Sequence, residues 1–327
     1  MKKMISLLLV LIFALGMMSA CQKSGDNSTV ATVGSEVITA GEMEYAIGVV
    51  KNSLTTGMEG QTLDDFWNTL IDGVDPEDYV RDNATELLVN MTLLAHAATE
   101  AGVVVTEAEV EEYFAENQET MDGLIAQYGV SVDTLKAVYR KQMLYSKYGE
   151  AFLATDERFT PSDETLKQYF QDNFYKAQHI LVMTVDANTN EPFSQEEKDA
   201  ARAKIDSILA SIKDGADFEA LMKEHTEDPG VEQYPGGYVF AEGEMVPEFY
   251  EGTVALAGNG ISEVIESSYG YHIIKRLPLD LEADFTENRY KAQSVYVYEV
   301  EGQLIEELKK NVEVSLKDAE IKEIPVK

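Results

Sequence analysis

Cysteine occurs once in this 327-residue chain, at Cys21, so no intrachain disulfide can form and that residue has to be explained by its place. Basic residues are also scarce: 26 Lys and Arg stand against 59 Asp and Glu, a formal net charge of −33. Nucleic-acid binding needs clustered Lys and Arg to neutralise phosphates, so no nucleic-acid partner is expected. The same charge opposes broad contact with an anionic membrane surface. Long apolar runs are missing after Met17, and the run Ile5 to Met17 is itself shorter than the roughly 20 residues a spanning helix needs. Histidine appears four times. His179, His225 and His272 could supply a zinc ion by number alone, but their spacing matches no compact metal motif, and no metal or other cofactor is expected.

What is present begins with an address. Lys2 and Lys3, the apolar run, and the small residues Ser19 and Ala20 read as an export signal over residues 1–20 rather than a fold element. Met18-Ser19-Ala20-Cys21 resembles the bacterial lipobox, which implies lipidation of Cys21 on sulfur and cleavage before it. Two acyl chains are the number at which anchoring becomes stable, so Cys21 would tie the chain to the cell membrane on its outer side. Residues 21–28 are polar and suit a short tether. The plainer alternative is an ordinary secretory signal whose cleavage leaves a free thiol.

Hydrophobic content of 45% permits real cores, and about 300 residues after the signal suggest two domains. Val30, Val33, Val37 and Ile38 around Gly34 read as strand and turn, with a helix from Ala40. Asp75-Pro76 places an N-cap and a first-turn proline ahead of Leu87, Leu88, Met91 and Leu94. Thr106 and Glu109 form a capping box, Ser131 caps a long amphipathic helix, and Thr160-Pro161-Ser162-Asp163 starts one that ends around Tyr175. From Gln178 the texture turns β-branched, then helical from Ser194 to Ile212 and from Phe218 to His225, then Gly- and Pro-rich from Pro229 to Gly237. Ile261–Glu266 and Tyr271–Arg276 read as two more strands. A helix from Asp284 to about Lys310 follows, then a β-like tail at Val312–Val314. Such an amphipathic helix needs something to pack on, and closing back on the N-terminal helices would make the α+β part an insertion.

Four blocks in this α+β part recur in the order and spacing of the parvulin family: Gln178-His179-Ile180-Leu181, Gly237 to Phe240 with Gly243 to Phe249, Gly260-Ile261-Ser262-Glu263, and Tyr269 to Ile274. The chain resembles that family over about a third of its length. Many parvulins carry Gly-Gly-Asp-Leu-Gly before the phenylalanine matched by Phe240, where this chain has the shorter Pro235-Gly236-Gly237-Tyr238. More loosely, Ala31 to Gly34, Ile38-Thr39 and Gly102 to Glu109 are similar to the chaperone part of PrsA-like foldase lipoproteins.

The resemblance implies an α+β fold in which a parvulin domain at residues 174–278, in β-α3-β-α-β2 order, is inserted in a mainly helical, chaperone-like domain. That domain would be built from residues 29–173 and a C-terminal helical segment, 279–327. It implies a peptidyl-prolyl cis/trans isomerase acting on X-Pro bonds. The catalytic network would contain His179, Asp228, Ser267 and His272, and the substrate-binding groove Phe240, Met245, Phe249 and Tyr269. Its partners would be unfolded or partly folded exported proteins; a homodimer is compatible with the sequence. Each residue also has a plainer explanation. Two histidines on neighbouring strands commonly form a hydrogen-bonded core pair, Met245 and Phe249 at i and i+4 suit a buried face, and Asp228 before Pro229 suits a turn. The alternative function is a holdase chaperone whose parvulin domain binds peptide without turnover, and a solute-binding lipoprotein has the anchor but not the motifs.

Overall fold

The computed structural model describes residues 27–56, 63–71, 73–187, 189 and 191–326. The expected export signal, Cys21 and most of the tether lie outside them. The chain divides into two compact units, one formed by residues up to Thr160 together with those from Glu299 onward, the other by Pro161–Tyr298.

The first unit opens on a hairpin, β1 (Thr29–Val33) and β2 (Glu36–Thr39). Gly34 makes its turn with φ 56°, and a Cβ there would lie 2.6 Å from the imidazole of His96, so only glycine suits the position. Helices follow: α1 (Ala40–Thr55), α2 (Leu63–Asn68), α3 (Pro76–Glu100), α4 (Glu107–Glu116), α5 (Gln118–Tyr128) and α6 (Val132–Ala151). The caps of α3, α4 and α6 are those the sequence signals, and α1 adds one more. Thr39 and Glu42 form a capping box at α1, Thr106 and Glu109 another at α4, and Asp75 and Ser131 cap α3 and α6. Met43, Ala46 and Ile47 of α1 pack with Val80, Leu88 and Leu93 of α3. Beneath them Lys141 of α6 reaches Glu42 Oε1 at 2.5 Å and donates to the Val37 carbonyl at 2.9 Å, both side chains being buried. A buried charge needs such a partner.

The second unit starts with α7 (Asp163–Asn173), capped by Ser162, which gives way at Tyr175 to β3 (Tyr175–Met183). Then come α8 (Gln195–Lys213), α9 (Phe218–His225), β4 (Tyr238–Phe240), α10 (Pro247–Val254), β5 (Ile265–Glu266) and β6 (Gly270–Leu277). The strands form one antiparallel sheet in the order β4-β3-β6-β5. Ile180, Val182, Tyr271 and Ile273 meet Ile205, Ile208, Phe218 and Met222 of α8 and α9 on one face. Ala177, Phe240 and Ile274 meet Phe249 of α10 on the other.

Two details differ from the expected order, one implied by the family resemblance and one read from the residues. Two described helices, not three, separate β3 from β4, because Pro229, Gly230, Pro235, Gly236 and Gly237 keep the chain in successive turns. The expected strand at Ile261–Glu266 shrinks to Ile265–Glu266, with a single bridge at Ile261. There the amide of Ile274 donates to the side-chain oxygen of Ser262 (2.8 Å) instead of a backbone carbonyl, which breaks the ladder.

The long helix α11 (Ala283–Asn311) has Phe285 and Ala292 packed on Leu166, Phe170 and Phe174 in the second unit, and Ile305 and Leu308 on the core of the first. After it, β7 (Val314–Leu316) pairs antiparallel with β1, Ala31 opposite Leu316, and α12 (Asp318–Lys322) follows. Ile321, Ile324 and Val326 then complete the first unit's core. The C-terminal segment thus returns to the N-terminal one, with the α+β part inserted between. The strand begins two residues later than the tail the sequence suggests.

Candidate active site

The β3/β6 register brings the two histidines together. His179 stands opposite Ile274 and His272 opposite Leu181, so both imidazoles point to one face as diagonal neighbours. Their Nδ1 atoms are 3.1 Å apart, and the rings stack with centroids 5.3 Å apart and planes 17° from parallel.

Asp228 arrives by a different route. Leaving α9, the Glu227 amide donates to the Leu181 carbonyl (2.8 Å) and the Leu181 amide to Thr226 Oγ1 (3.2 Å), which lays the chain along β3. Asp228 Oδ2 then lies 2.9 Å from His179 Nε2, while Oδ1 accepts the Gly230 amide at 2.9 Å. At the other end Ser267 sits in the turn before β6 with Oγ 2.7 Å from His272 Nε2, and Oγ accepts the Tyr269 amide at 3.2 Å. Gly270, at φ 148°, lets that turn close: a Cβ there would meet the Val182 carbonyl at 2.3 Å. Asp228, His179, His272 and Ser267, drawn from three separate stretches of the sequence, form one continuous line of hydrogen bonds.

Burial pushes the Asp228 carboxyl up, but donors from His179, Tyr238 and Gly230 outweigh it and hold the group at about 2. Burial drives His272 down to about 3, helped by His179 and opposed by Asp228. An ionised carboxylate only accepts, so His179 Nε2 carries a proton and donates. A single proton lies between the two facing Nδ1 atoms, and His272 is neutral at physiological pH whichever ring holds it.

The apolar side comes from α10 and the loop before it. Phe249 sets its edge against both imidazoles, with centroids 5.1 Å from His179 and 5.7 Å from His272, and Phe240 packs on Phe249 at 5.7 Å. Met245 is half-buried beside them. Phe240 is wholly buried and backs Phe249 rather than reaching the surface. Tyr269, next to the Ser267 turn, is exposed. His225 stands apart from the network, 3.9 Å from Glu224. Sequence reasoning missed Tyr238, whose hydroxyl donates to Asp228 Oδ2 at 2.6 Å. The departure at 235–238 was the available signal, but the bond depends on how the turns fold.

Among the described residues no group of three or more His, Cys, Asp or Glu is placed to hold a metal ion, and no helix is long and apolar enough to cross a membrane.

Residues 164–277 match the family described as a PPIC-type PPIase domain, and residues 1–149 match the SurA-like N-terminal domain. The chain is 31% identical over 290 residues to the foldase protein PrsA of Caldanaerobacter subterraneus subsp. tengcongensis, covering 84% of this chain and 82% of that protein. It is 27% identical over 290 residues to foldase protein PrsA 4 of Bacillus cereus, covering 85% of this chain and 90% of the other. A crystal structure of the peptidylprolyl isomerase PrsA from Bacillus cereus superposes with TM-score 0.32 at 24% identity, covering 76% of this chain and 88% of that one.

Proposed function

The chain belongs to the PrsA foldase family and carries a parvulin-type peptidyl-prolyl isomerase domain; from that premise we propose that it is a lipid-anchored, extracytoplasmic foldase that isomerises X-Pro bonds in exported proteins. The observation that supports the site assignment best is the unbroken line Asp228–His179–His272–Ser267 lying directly behind Phe249.

Rotation about X-Pro faces a barrier of about 18–20 kcal/mol, most of it amide resonance. Moving the amide from water to an apolar surface weakens that resonance, and hydrogen bonds that fit the twisted amide better than the planar one lower the barrier by differential binding. Met245 and Phe249, backed by Phe240, would take the proline ring, with Tyr269 at the exposed rim. His179 and His272, fixed by Asp228 and Ser267, would keep the floor of that surface rigid. Nothing in this scheme requires proton transfer to the substrate, which suits a neutral, buried His272.

The mostly helical first unit would hold unfolded clients, and the chain's net charge of −33 favours basic ones. Cys21, through its lipobox-like surroundings, would carry the anchor. Loss of the membrane fraction in Cys21→Ser supports the anchor, and retention contradicts it. Cis/trans relaxation of a proline tetrapeptide tests the isomerase. Suppression of client aggregation without any turnover would favour the holdase alternative instead.

A further inference from the structure

Asp228 is held by a hydroxyl that the hydrogen-bond line from His179 to Ser267 does not itself require. Tyr238 lies in the stretch where the chain departs from the Gly-Gly-Asp-Leu-Gly of many parvulins. On β4 it stands opposite Ala177, two residues before His179, so its ring projects from the same sheet face as the imidazoles. Its hydroxyl donates to Asp228 Oδ2 at 2.6 Å, the oxygen that also accepts from His179 Nε2. Such charge-assisted bonds are short and strong.

The surroundings are built for this contact. The Tyr238 ring meets His179 edge-on at 5.8 Å and Tyr234 at 4.9 Å. Its hydroxyl fills the space above Gly230, where a Cβ would lie 2.1 Å from Oη. The Gly230 amide meanwhile binds the other oxygen of the same carboxylate. A side chain at 230 would therefore push the tyrosine hydroxyl away from Asp228.

We propose that Tyr238 is a positioning residue for isomerisation, aiming the Asp228 carboxylate at His179 Nε2 and so fixing that nitrogen as a donor at the head of the hydrogen-bond line that runs through His272 to Ser267. Its link to catalysis rests on the isomerase function proposed above. The groups facing Asp228 are His179 from β3 with His272 behind it from β6, Tyr238 from β4 with Tyr234 behind it, and the Gly230 amide. Neighbouring Glu227 is paired with Lys204. Removing the hydroxyl leaves burial, which favours the protonated acid, opposed by two donors instead of three. A protonated Asp228 no longer compels His179 Nε2 to donate.

The test is an NMR titration of the Asp228 carboxyl carbon in the wild type, Tyr238→Phe and Gly230→Ala. Phenylalanine keeps the ring and its packing, and Gly230→Ala displaces the hydroxyl without altering either partner. We expect the Asp228 midpoint to rise by at least about one pH unit in both variants. A Tyr238→Phe curve superimposed on the wild type overturns the proposal; if that variant does not fold, Gly230→Ala decides by the same criterion. Tetrapeptide isomerisation by the wild type is measured alongside. Its absence would sink the proposed function, while the titration still decides whether Tyr238 positions Asp228.

Discussion

Replacing His272 by glutamine should remove a pH dependence that one buried imidazole imposes on the second unit. His272 is 3% exposed, lies between His179 and Ser267, and is held at about 3 against an ordinary value of 6.5. In the unfolded chain the same ring takes up a proton as pH falls through 6.5; in the folded chain it does not until about pH 3. The unfolded state therefore binds more protons across that window, so stability is full above pH 6.5 and declines as pH drops toward 3, by up to about 1.4 kcal/mol per pH unit. Over the whole window the loss approaches about 5 kcal/mol, and between about pH 7.5 and about pH 5 it is roughly 2 kcal/mol. Urea unfolding followed through the amide signals of Ile273 and Ile274 at those two pH values would report it. The wild type should lose roughly 2 kcal/mol more than His272→Gln. Parallel losses in the two proteins would refute the assignment of a neutral, buried His272.

Two further changes probe single contacts. Ser267→Ala deprives the buried His272 Nε2 of its partner, which should cost about 1–3 kcal/mol by urea unfolding; a cost near zero would mean that the bond contributes nothing. Lys141→Met leaves the buried Glu42 carboxylate without its cation, keeping only the local donors of Thr39, and should destabilise the first unit by about 3–5 kcal/mol. A melting temperature close to that of the wild type would contradict this.

Local signals carried well from sequence to structure where the physics is local. Asp75 before Pro76, the Thr106/Glu109 box and Ser162 each mark a helix start that the chain adopts. The two histidines were legible as neighbours on central strands, and the return of the C-terminal segment followed from an amphipathic helix that had to pack. What the sequence could not convey depends on long-range pairing. β7 finds its partner in β1, where Val314 stands opposite Val33, 281 residues earlier in the chain. The diagonal offset of His179 and His272 follows from register, and the Tyr238–Asp228 bond from a run of turns at Pro229 to Gly237. The resemblance puts Phe240 and Phe249 in one groove, whereas packing buries both, with Phe240 behind Phe249 and only Phe249 edge-on to the two imidazoles.

The proposed role of the Phe249/Met245 surface, stiffened by the histidine line, is to lower the X-Pro barrier. The direct test is cis/trans relaxation of a proline tetrapeptide with the chain from residue 21 onward, as wild type and as Met245→Ala. Relaxation should speed up in proportion to wild-type concentration, and kcat/KM should drop about tenfold for Met245→Ala with the fold intact. Relaxation at the uncatalysed rate, or equal rates for the two proteins, would contradict it.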